Sequence, residues 1–85
     1  MNVIQVQTKN SVYEMLTYSN GVTVLYKEGE ENNIIMVVDY WTTTYVDGVM
    51  RLYVTGKDEN EKVMSLVTSE VARFKSVDPM TLVEV

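Results

Sequence analysis

Arg51 and Tyr53 are the residues whose types and spacing come nearest to a recognition chemistry in this chain. They follow an Asp47-Gly48 pair that separates two β-forming runs. Asp-Gly favours a two-residue type I′ turn, which needs positive φ at both central positions. Such a turn sets Val46 opposite Val49, Thr44 opposite Arg51, Thr42 opposite Tyr53 and Tyr40 opposite Thr55. One face of that hairpin then presents Tyr40, Thr42, Thr44, Arg51 and Tyr53. An Arg set among Tyr residues on a flat sheet has the composition of a protein-binding surface, where Tyr, Trp and Arg are enriched. Tyr and Thr are also ordinary sheet-surface residues, so composition alone leaves both readings open. The other face carries Trp41, Thr43, Tyr45, Met50, Leu52 and Val54. It is the more apolar and is expected to be core, with Trp41 as its anchor.

Other chemistries find little to work with. There is no His and no Cys. Nucleophilic catalysis by Ser or Thr therefore lacks its usual base, and thiolate chemistry and Cys-based zinc sites are excluded. Asp58-Glu59-Asn60 has part of the spacing of a calcium loop but lacks the following Gly and the bidentate Glu. The carboxylates of Glu28, Glu30 and Glu31, and of Asp58, Glu59 and Glu61, read as solvated loop tips. Gly21, Gly29, Gly48 and Gly56 all fall in expected turns, so none forms a phosphate-cradling loop. No catalytic residue, metal ligand or cofactor is assigned, and the chain is expected not to be an enzyme.

Composition sets the frame that must position these residues. Of 85 residues, sixteen are Val, three Ile and nine Thr, against one Ala and five Leu. β-Branched side chains lose χ1 freedom in a helix and pack well on a pleated sheet. The expectation is a single, mainly β domain over residues 1–85: a small antiparallel barrel or a strongly curved meander sheet of six or seven strands. A hydrophobic fraction of 46% suffices for a core. Six Tyr and six Met exceed what one small core would hide, which suggests a partner or a second copy of the chain.

Along the chain, Val3–Val6 reads as a strand. Ser11-Val12-Tyr13-Glu14 fits a helix capping box. Residues 12–18 nevertheless read better as strand, because they lead into Asn20-Gly21, a hairpin signal. A two-residue turn there would pair Leu16 with Leu25 and Glu14 with Lys27. Val22–Lys27 follows as a strand, and then an acidic loop. Ile34–Val46 is long for one strand and should bend or bulge near Asp39-Tyr40. Val49–Thr55, Lys62–Thr68 and Met80–Val85 read as further strands. Residues 69–77 stay open between one short helix and an irregular strand. Val71 and Phe74 are three apart, whereas Val71, Arg73, Lys75 and Val77 alternate.

The net charge is −5, and the seven basic residues are scattered rather than gathered in a stripe. This argues against nucleic acid as a partner. No apolar run is long enough to span a membrane. The lack of Cys in so small a domain, with no signal-like start, points to the cytoplasm. In size and composition, though in no specific motif, the chain is similar to compact acidic β proteins of phages and mobile elements. The function expected is a protein-binding inhibitor or adaptor that covers a partner's surface. One alternative is a homo-oligomer, a dimer or larger, that binds a nucleotide-like ligand between chains. A second is an oligonucleotide-binding barrel.

Overall fold

The computed structural model describes residues 2–29 and 34–77. Among them, seven strands form one antiparallel sheet: β1 (Asn2–Thr8), β2 (Val12–Thr17), β3 (Thr23–Lys27), β4 (Ile34–Val46), β5 (Val49–Lys57), β6 (Val63–Val67) and β7 (Val71–Val77). The spatial order is β6-β5-β4-β3-β2-β1-β7, a six-strand meander whose last strand returns beside the first. No helix occurs among the described residues. Of the segment 12–18, Val12–Thr17 is strand, as expected, and Tyr18 closes the loop that follows. The expected strand Met80–Val85 lies outside the described residues.

The sheet rolls around one apolar cluster. Val6, Tyr13, Met15, Leu25, Met36, Leu52 and Val54, from five consecutive strands, share it. Bulges supply the curvature, because an extra residue bends its strand and increases local twist. They fall opposite Gln7/Thr8, Leu25/Tyr26 and between Val38 and Tyr40. The last of these makes Asp39 an extra residue, where the long run was expected to bend. It also resets the pleat: Val38 faces Gly56 before it and Trp41 faces Val54 after it, so both pack on the core.

The short helix considered for 69–77 is not formed. In β7, Val71 pairs with Thr8, Arg73 with Gln7 and Phe74 with Val6, which leaves Ala72 as the bulged residue. Val71 and Phe74 thus reach the same face at a spacing of three because of a bulge, not because of a helical turn. Phe74 lies against Trp41 across the roll, with ring centroids 5.7 Å apart and tilted by 35°.

Nor does the sheet close into a barrel among the described residues. β5 and β7 touch without a ladder between them. β6 pairs antiparallel to β5 and β7 antiparallel to β1, so along the meander β6 and β7 run the same way. Consecutive parallel strands need a crossover of about a dozen residues. Only residues 68–70 link these two, so the chain steps from the edge of β5 to the edge of β1. Buried Thr68 fixes that step. Its N–H donates to the Leu52 carbonyl at 3.0 Å, and its Oγ1 accepts the Leu52 N–H at 3.1 Å and donates to the Ser69 carbonyl at 2.8 Å. The Lys9 N–H donates to the Glu70 carbonyl at 2.9 Å and holds the far side of the link.

The first hairpin differs from expectation by one residue. The pairs are Leu16↔Val24, Met15↔Leu25, Glu14↔Tyr26 and Tyr13↔Lys27. The Gly21 N–H donates to the Tyr18 carbonyl, and the Tyr18 N–H to the Val22 carbonyl, which closes a three-residue loop. Gly21 alone of the Asn-Gly pair has positive φ, at 90°. The Asn20 side chain accepts the Val22 N–H at 3.0 Å instead, as Asn does in an Asx turn. The shift sets Met15 opposite Leu25 on the core face and Leu16 opposite Val24 on the other face, where Val24 is nevertheless buried.

Candidate functional site

The second hairpin forms in the register its sequence suggests. Asp47 and Gly48 take φ of 54° and 76°, the type I′ pattern. The pairs are Val46↔Val49, Thr44↔Arg51, Thr42↔Tyr53 and Tyr40↔Thr55. On the opposite face Leu52 and Val54 are fully buried, and Trp41, Thr43 and Met50 are half-buried. Tyr45 departs from the core expectation. It is exposed near the tip, where the hairpin projects past the core, and its hydroxyl donates to Met50 Sδ at 3.2 Å.

The outward face therefore holds Tyr40, Thr42, Thr44, Arg51 and Tyr53 together. Tyr40 is 58% exposed, and the other four are half-buried. β6 extends this face sideways: Ser65 lies beside Thr55, Val67 beside Tyr53 and Val63 beside Lys57. Val63 and Val67 are 78% and 55% exposed. Sequence reasoning missed this extension. Val63 and Val67 alternate with Met64 and Leu66, which pack on the core, so nothing in the local pattern shows which pair faces water.

Arg51 is less free than the sequence suggests. Its Nη1 donates to the Thr68 carbonyl at 3.0 Å and so braces the β6–β7 link from the outer face. A guanidinium has five N–H groups, so donors remain for a partner. The face carries rigid aromatic and β-branched surface, with Arg51 toward one end and exposed Lys57 toward the other. It suits a flat apolar counterpart rather than an enclosed ligand.

Two surface depressions lie elsewhere. One, of about 460 Å³, is lined by Glu14, Leu16, Tyr26, Lys27, Glu28 and Ile34. The other, of about 570 Å³, runs between Ile34–Val37 and Lys57–Asn60. Neither is lined by Tyr40, Arg51 or Tyr53. In the Asp58 loop the carboxylate accepts the N–H groups of Asn60 and Lys62 at 2.8 and 3.0 Å. That carboxylate shapes the turn, and no group of three metal-ligating side chains gathers among the described residues.

Comparison with protein-family models, with curated proteins and with solved structures finds no match to this chain.

Proposed function

We propose that this chain is a non-enzymatic protein-binding module that lays the outer face of β4, β5 and β6 over a functional surface of a larger partner, as an inhibitor or adaptor does. The observation that carries this reading is the exposed Tyr40, Val63 and Val67 on one three-stranded face, with Tyr53 and Arg51 between them. Exposed apolar groups in one contiguous patch mark interaction sites more often than scattered ones do. The strands beneath are hydrogen-bonded in register, so little ordering entropy opposes docking. The acidic net charge favours a partner with a basic surround.

Native mass spectrometry on protein purified gently from its own host tests this. A co-purifying protein should appear with the wild-type chain and disappear with the Tyr40→Ala/Tyr53→Ala variant, at unchanged circular dichroism. A partner retained by that variant would remove the outer face from consideration. A chain carrying only an extra few hundred daltons would favour a small ligand.

A further inference from the structure

We infer that β6 is a self-pairing edge, through which two copies of this chain join antiparallel about a two-fold axis at Ser65. Among the described residues β6 pairs only with β5, and none of them forms a ladder on its other side. Which backbone groups point there follows from the ladder. The pairs Leu52–Thr68 and Asp58–Lys62 are bridged by Thr68 N–H to Leu52 O and by Asp58 N–H to Lys62 O. Hydrogen-bonded and non-hydrogen-bonded pairs alternate along an antiparallel ladder. Leu66 and Met64 therefore bond to β5, whereas Val63, Ser65 and Val67 aim their N–H and C=O groups outward.

The sequence of this edge is self-complementary. Val63-Met64-Ser65-Leu66-Val67 reads nearly the same in both directions. Centring two copies on Ser65 sets Ser65 opposite Ser65, Val63 opposite Val67 and Met64 opposite Leu66. Each of Val63, Ser65 and Val67 then exchanges both its N–H···O=C bonds with its counterpart. An isologous dimer requires such a match of a patch with itself. This register pairs every residue of the strand.

Charge agrees with the pairing. The strand holds no charged residue, so no like charges meet across the axis. At each end Lys62 lies level with Thr68 of the other copy, two residues from its Glu70. Lys62 and Glu70 are both exposed. β7, the other outermost strand among the described residues, looks different: it carries Arg73 and Lys75 and a bulge, the devices that keep an edge from pairing. β6 has none of them.

The contact covers less than the roughly 800 Å² per partner of a standard interface. The expected dimer is therefore concentration-dependent, with a dissociation constant on the order of 1–100 µM. It would join the two outer faces into one surface with two-fold symmetry. The pairing stands independently of the protein-binding reading of that surface.

Sedimentation of the full chain over a range of concentrations tests it. Wild type should pass from monomer to dimer. Ser65→Pro should stay monomeric, because it removes an outward N–H and no bond to β5. Unchanged circular dichroism would show that this variant is folded. Val63→Lys/Val67→Lys should also be monomeric, whereas Val63→Lys/Val67→Glu should dimerise, since positions 63 and 67 face each other across the axis. A wild-type chain still monomeric at about 100 µM would overturn the proposal. So would a dimer that survives Ser65→Pro. Tyr40→Ala/Tyr53→Ala should leave the dimer intact, which separates this proposal from partner binding.

Discussion

Gly56 shows how one residue can be read correctly as special and for the wrong reason. It was expected in a turn, yet it lies inside β5, opposite Val38 and next to the Asp39 bulge. Its φ is not positive. The constraint is space, because a Cβ there would fall on the Val37 carbonyl. Glycine within a strand often marks such an approach of another backbone. Gly56→Ala should cost at least about 3 kcal/mol in urea unfolding, more than overpacking beside a mobile side chain. Tyr26 gives a second test at this scale. Hydrogen bonding with Tyr18, then burial and the charge on Tyr18, hold its phenol above the ordinary value of 10.0. A raised folded-state pKa means that this contribution to stability is complete below the ordinary value and is lost as pH rises through the folded value. Phenolate absorbance during alkaline titration should lose its latest-ionising component in Tyr26→Phe, and Tyr18→Phe should move the Tyr26 ionisation earlier.

Hairpin loops show how turn chemistry governs register at the scale of elements. Asp47-Gly48 specified its register correctly because both residues accept positive φ. Asn20-Gly21 did not, because Asn20 satisfied the Val22 N–H with its side chain and left only Gly21 left-handed. The loop at 58–62 repeats this second pattern: the Asp58 N–H donates to the Lys62 carbonyl and the Glu61 N–H to the Asp58 carbonyl. Here Glu61, with φ of 61°, stands where Gly21 stands in the first hairpin. A left-handed residue with a Cβ costs about 1–2 kcal/mol, partly offset by the greater unfolded-state freedom of Gly. Glu61→Gly should therefore raise the unfolding free energy by about 0.5–1 kcal/mol. An unchanged or lowered denaturation midpoint would contradict that assignment. Bulges explain the other element-scale differences. The spacing of three between Val71 and Phe74 resembles a helix until the extra Ala72 is placed opposite β1.

Across the whole molecule, the decisive feature is the step from β6 to β7. Thr68 carries it, and local sequence gives no hint, since Thr is an ordinary strand residue. Thr68→Val keeps the shape but leaves the Leu52 N–H buried without an acceptor. The expected loss is about 1–3 kcal/mol by urea unfolding. A loss below about 0.5 kcal/mol would mean that water or another group replaces the hydroxyl. Trp41 also belongs to this scale. It is half-buried against Phe74 rather than enclosed. Trp41→Ala should therefore fall short of the ~3–5 kcal/mol typical of a fully buried aromatic.

The residue types by themselves determined that the described residues are all-β, because sixteen Val, three Ile and nine Thr favour the pleated sheet and only one Ala and five Leu favour a helix. Asp47-Gly48 also determined the face shared by Tyr40, Thr42, Thr44, Arg51 and Tyr53, since a two-residue turn leaves only one register. Tertiary structure decided the rest. It set which alternate residues of β6 face water, held Arg51 on the Thr68 carbonyl and kept the barrel open. Each of these depends on where a distant strand lies, and no local spacing encodes that. Two strands running the same way, joined by three residues, cannot pair, so among the described residues β6 stays at the edge of the sheet.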